Sequence, residues 1–383
     1  MSFTYLPNEI LLHILQSCNS IADVLALGAC CQHLHSILQA SSNRLPTLFL
    51  AAEAEYGPLA DAINLVTHND SQPAHLPRPS PPLSFALLRQ LISVGRTANS
   101  WADLYPFQKW RGPSSSLRRF LTDNERHLLR RAIYRTWLYS LAFHNQLYSR
   151  TARRSPPVIR QRALLLRSWP TSELAELLDF QSILRQMLSS IITPSNGTVI
   201  RRHKQRNPDD PFPLVSVTHP AKYAIMHGNA INATPQDRLA QCANTGVFHG
   251  SPTAEQLQPF AASAKYTRTH KELHGTTLEG WGDEISHYYV LEDMFKLHPG
   301  QILYLYSAIM EATQGSFHSG QSAKGLVESF VAGIEGAGSW FENNGETLGE
   351  TVGFVVGERG GDAGEIRAMV EDGMAGIAIE EAE

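Results

Sequence analysis

Cysteine is scarce in this chain of 383 residues, and the four present, Cys18, Cys30, Cys31 and Cys242, stand at no metal-ligand spacing. Cys30 and Cys31 are chain neighbours, poorly placed to staple a fold, so all four read as reduced thiols. Nowhere do eighteen consecutive apolar residues occur, which excludes an obvious membrane-spanning helix. The opening stretch carries Glu9 and no basic run, so a secretory leader is not expected and the chain is placed in the cytosol or nucleus. Without a secretory route, the sequons at Asn196 and Asn232 read as chance matches. Self-similarity at a fixed period of about 20 to 50 residues is missing, which argues against solenoids and propellers.

Charged residues make up only 18% of the chain, against 43% hydrophobic, a globular rather than a disordered balance. The length leaves room for several packing units. Helical spacing dominates: Ile10, Leu11, Ile14 and Leu15 repeat at the i, i+4 interval behind Pro7 and Glu9, and Ser20 to Asp23 offers a cap ahead of Val24, Leu25 and Leu27. A third short helix, around His33 to Gln39, buries Leu34, Ile37 and Leu38. Three helices this short make only a minimal core and want a partner.

Five prolines among residues 72–82 read as a linker or surface loop. A helix follows from Phe85 to Arg96, and then the aromatic cluster Trp101, Tyr105, Phe107 and Trp110. Thr122 and Glu125 form a capping box that opens a helix running to about Tyr148, apolar on more than one side. Another starts near Thr171 and carries Leu174, Leu177, Leu178, Leu184, Met187, Leu188 and Ile191. Residues 194–260 are loop-rich, with Leu214 to Val217 the only strand-like run. Helical order returns from Asp283 to Leu297 and, after Pro299 and Gly300, from Gln301 to Thr313.

Charge is unevenly spread. Residues 111–169 hold thirteen arginines against Asp123 and Glu125, while residues 341–383 hold eleven acidic groups against Arg359 and Arg367. The first block makes Arg126, Arg130, Arg131 and Arg135 candidates for binding a partner. Three readings of it are available: pairing with carboxylates inside the protein, screening by the acidic end of the chain, and a nucleic-acid surface, the last disfavoured because the arginines share a helix with apolar residues. Nine glycines among the last 43 residues, with the acidic excess, read as a mobile tail.

Apparent enzyme signals fail on their chemistry. Residues 315–322 have phosphate-loop spacing, but Gln321 stands where a lysine must reach the phosphates. His270 and His274 lie four apart, yet Lys271 replaces the glutamate that a zinc protease needs directly after its first histidine. Cys242 and His249 make no recognisable dyad. No catalytic residue, metal or cofactor is expected.

The first forty residues carry the most specific pattern: Leu6-Pro7-Asn8-Glu9-Ile10-Leu11-Leu12-His13-Ile14-Leu15, then Asp23-Val24-Leu25-Ala26-Leu27, then Cys30-Cys31-Gln32-His33-Leu34-His35. This pattern resembles an F-box, the module by which substrate receptors of SCF-type ubiquitin ligases dock on the Skp adaptor and, through it, on a cullin. The resemblance implies adaptor contacts from Leu6, Pro7, Ile10, Leu11, Ile14, Leu15, Val24, Leu27 and Cys31. It departs from the pattern at His35, where an aromatic is frequent. Residues 120–139, with Gly280-Trp281-Gly282-Asp283 and His287 to Met294, are similar to segments of filamentous-fungal F-box proteins.

The expected architecture is therefore mainly α. A three-helix F-box over 3–45 and a connecting segment over 46–82 precede an irregular helical region over 83–340 that recruits a protein target. A flexible acidic tail over 341–383 follows. The alternative is a nucleic-acid-binding or scaffold protein acting through the arginine-rich helix.

Overall fold

The computed structural model of the chain describes residues 6–76, 80–110, 119–145, 148, 152–206, 281, 285–313, 323–333 and 346–379. Among them the regular structure is helical throughout and includes no strand. Three short helices, α1 (Asn8–Gln16), α2 (Ile21–Ala29) and α3 (Gln32–Gln39), form where the i, i+4 spacing places them. Ser20 caps α2 by accepting from the Asp23 N–H at 3.0 Å. Pro7 stands just ahead of α1 rather than inside its first turn.

The partner these helices want is the next segment of the chain. Residues 46–82, expected to be a connector, instead hold most of α4 (Arg44–Tyr56) and all of α5 (Leu59–Val66). Leu48, Phe49, Ala52 and Tyr56 are buried along α4, which α1 and α2 pack against. The expected domain boundary near residue 45 is thus covered by a helix shared between the N-terminal unit and the rest.

The centre is built by α6 (Phe85–Lys109), α7 (Asp123–Phe143) and α9 (Thr171–Met187), with α8 (Pro156–Leu166) between α7 and α9 in the chain. The aromatic cluster continues the helix expected to stop at Arg96, since Trp101 and Tyr105 extend its buried face and Pro106 falls in the last turns. Trp101 meets Phe180 of α9 edge to face, with ring centroids 5.2 Å apart. Gly95 lets α6 approach α4, because a Cβ there would lie 2.5 Å from the Tyr56 ring. The Thr122 and Glu125 capping box opens α7, which ends at Phe143 rather than Tyr148.

A π turn over Leu188–Ile192 leads to α10 (Asn196–Arg206), an element not expected in the loop-rich insert. The chain resumes with α11 (Ile285–Met294), α12 (Pro299–Thr313) and α13 (Ala323–Ala332). Pro299 opens α12, its missing N–H falling where no helical bond is made. The strand-like run at 214–217, the phosphate-loop spacing at 315–322, His270, His274, Cys242 and His249 lie outside the described residues.

The acidic C-terminal stretch corrects the expectation of a mobile tail. It forms α14 (Leu348–Glu358) and α15 (Ala363–Glu371), joined by a turn in which Gly360 has φ +79°. Leu348, Val352, Val355 and Val356 are buried where α14 packs on α8. Two of its carboxylates pair with the arginine block: Arg153 with Glu350 at 3.0 Å and Arg167 with Glu358 at 2.6 Å. Asp179, fully buried on α9, accepts from Tyr105, Lys109 and the Ile377 N–H, and so ties down residues beyond α15. No helix among the described residues is long and apolar enough to cross a membrane.

Candidate partner-docking surfaces

The nine residues that the N-terminal pattern assigns to docking fall into three groups. Leu11, Leu15 and Val24 are fully buried. They face the protein's own core and correct the expectation that they contact a partner. Ile14, Leu27 and Cys31 are half-buried. The Cys31 thiol accepts from the Leu34 N–H at 3.5 Å, which makes it the cap of α3. Leu6, Pro7 and Ile10 are exposed, Leu6 at 39% and Ile10 at 48%.

Ile10 and Ile14 lie four residues apart on one ridge of α1, with Leu6 in the extended lead-in before it. Leu25 on α2 is likewise exposed, at 48%, although the pattern reading passed it over. On the other flank of α1, an open groove runs between Asn8, Glu9 and Leu12 and the α3 side of Ser36, Ile37 and Ala40.

The arginine candidates on α7 are engaged within the protein. Arg131 holds Glu176 through Nε at 3.0 Å and Nη2 at 2.5 Å, and Glu173 through Nη1 at 3.0 Å. Arg135 bridges Asp61 of α5 at 2.8 Å and Glu173 of α9 at 2.5 Å, its guanidinium lying over Trp169 at 4.8 Å. Arg130 donates to the Gly57 carbonyl at 3.3 Å, and burial pulls its pKa below the ordinary value. Arg126 makes only a long contact to Asp103, at 3.5 Å, and is the one of the four still near solvent. The expectation that Arg130, Arg131 and Arg135 bind a partner is therefore corrected. The carboxylate partners of Arg131 and Arg135 lie on other helices, so charge that looks like a surface in sequence serves as cross-links in space.

The described residues contain no cluster of three or more histidine, cysteine or acidic side chains arranged to hold a metal. His144 is buried and His298 half-buried. Burial and the Lys296, Arg162 and Arg153 cations push His144 down to about 3, and burial pushes His298 down to about 4. His298 stacks on Trp137 with ring centroids 4.6 Å apart, and its Nδ1 accepts from the Gln301 N–H at the start of α12.

No protein-family model matches the chain, and no curated protein or solved structure matches it either.

Proposed function

We propose that this protein is a substrate-recruiting adaptor that docks on a Skp-type adaptor of an SCF ubiquitin ligase through the exposed apolar ridge of α1 and α2. The observation that carries the reading is that Leu6, Ile10 and Leu25 stay exposed on a unit whose Leu11, Leu15, Val24, Leu34 and Leu38 are buried. The F-box-like spacing of the first forty residues is the second support. The remaining helices would hold the target, and the mechanism is proximity, which raises the target's effective concentration near the ubiquitin-charged enzyme. The nucleic-acid alternative loses its best residues, since Arg131 and Arg135 are already paired with carboxylates.

Co-purification of the intact chain and an Ile10→Asp, Leu25→Asp variant with a Skp adaptor tests the reading. Both substitutions are on the surface, so helicity should be retained while binding falls by about 30-fold or more, from two anchors of about 1 to 3 kcal/mol each. Equal binding by the two chains would refute docking through this ridge.

A further inference from the structure

A cavity of about 420 Å³ opens between α9, α11, α14 and α15, within the size range of about 300 to 1,000 Å³ of small-molecule sites. Its walls carry charges of both signs, and the ion pairs sort them. Arg153 is consumed by Glu292 at 2.9 Å and Glu350 at 3.0 Å. Among the described residues, four further charged groups of the cavity wall make no ion pair: Glu346, Glu371, Arg185 and Arg367.

Glu346 is the unusual one. Its residue is 6% exposed, its hydrogen bond comes from the Leu348 N–H, and no cation pairs with it among the described residues. Burial and the neighbouring Glu292 carboxylate push its carboxyl up to about 7, outweighing the Leu348 N–H and the Arg185 and Arg153 cations, neither of which forms an ion pair with it. Such a group costs stability, and in a cavity wall it is what a ligand cation would satisfy. Arg185 lies with its guanidinium over the Phe295 ring at 4.7 Å, and Arg367 donates a single bond to the Gly349 carbonyl at 3.0 Å. Gly349 permits that approach, for a Cβ there would come within 2.9 Å of Arg367 Nη2.

We infer that this cavity binds a ligand carrying a cation and a carboxylate together, the cation on Glu346 and the carboxylate on Arg185 and Arg367. A ligand of one sign meets a like charge: a bare amine meets the two arginines, and a bare acid meets Glu346. One carrying both signs finds a complement for each. The chemistry is that of a free basic amino acid or of a peptide segment in which a basic residue neighbours an acidic one. This inference is independent of how α1 and α2 dock.

Binding to the full-length chain, followed by calorimetry at roughly pH 8, tests it with four probes: L-arginine, acetyl-Arg-Asp-amide, agmatine and acetyl-Asp-amide. Binding by L-arginine or by the capped dipeptide, with agmatine and acetyl-Asp-amide weaker by about tenfold or more, is expected, and which of the two zwitterions is tighter separates the free from the peptide source. Glu346→Gln should weaken that binding by a similar factor while raising the thermal midpoint of the empty protein, the reverse of what a merely structural carboxylate would do. Arg185→Ala, an exposed position that spares the fold, should weaken it too. No binding of either zwitterion at millimolar concentration, agmatine binding as tightly as the zwitterions, or unchanged affinity in both variants would overturn the inference.

Discussion

Replacing Asp179 by alanine removes the buried acceptor that joins three parts of the molecule. Tyr105 of α6 donates to it at 2.8 Å, Lys109 at 2.9 Å, and the Ile377 N–H beyond α15 at 2.9 Å. After the change the Tyr105 hydroxyl and the Ile377 N–H are buried without that acceptor, and Lys109, 12% exposed in its side chain, keeps only the Val370 carbonyl at 3.2 Å. Breaking one side of a buried pair costs about 3 to 5 kcal/mol, a large part of a typical stability of about 5 to 15 kcal/mol. Urea unfolding followed by circular dichroism measures the loss. Limited proteolysis should also show the last described residues cut before the rest of the chain unfolds. A Lys109→Met, Asp179→Leu double variant should recover much of the loss, because it leaves no unpaired charge. A loss below about 1 kcal/mol for Asp179→Ala, with the C-terminal stretch as resistant as before, would refute the reasoning that this stretch is latched into the core.

Leu15→Ala should cost about 2 to 5 kcal/mol in urea unfolding, whereas Ile10→Ala should stay within about 0.5 kcal/mol, since the first side chain is fully buried and the second about half exposed. Val352→Ala with Val355→Ala should lower stability by roughly 2 to 4 kcal/mol, because both valines are fully buried in α14; an unchanged midpoint would return that stretch to a mobile tail. Glu346→Gln should change the pH dependence of stability. The folded carboxyl, faced by Glu292, Arg185 and Arg153, holds its proton up to about 7 against an ordinary 4.5, so its contribution is full below the ordinary value and is lost as pH rises through the folded one. The variant should therefore gain on the parent by on the order of 3 kcal/mol between those limits. His144 acts in the opposite sense, held neutral down to about 3, and cancels in the comparison because both chains carry it.

Helix placement was legible wherever a local signal decides it. Thr122 and Glu125 cap α7 as their spacing requires, and Leu11 with Leu15 mark the inner face of α1. What the pattern could not say is whose core an apolar residue serves. Leu11 and Ile10 differ by one position, yet one is enclosed and the other open, because α3 and α4 cover only one side of α1. The arginine block hid its role for a similar reason: Glu173 and Glu176 meet Arg131 across a gap of some forty residues in the chain, which no window reads. Composition misled at the C-terminus, where nine glycines and many acids outweighed Val352, Val355 and Val356, three positions sufficient to seat a helix on α8. Residues 46–82 misled through the five prolines of 72–82, which lie after α5 and not within it. The cavity around Glu346 was invisible, since its walls come from residues spread between Arg153 and Glu371.

The most direct test of the docking account is amide hydrogen exchange on the full-length chain with and without a Skp adaptor. The account predicts a complex in which the amides of residues 6–30 slow, while those of α7 and α9, locked by Arg131 and Arg135, keep their rates. No complex, or protection confined to elements other than α1 and α2, would contradict it.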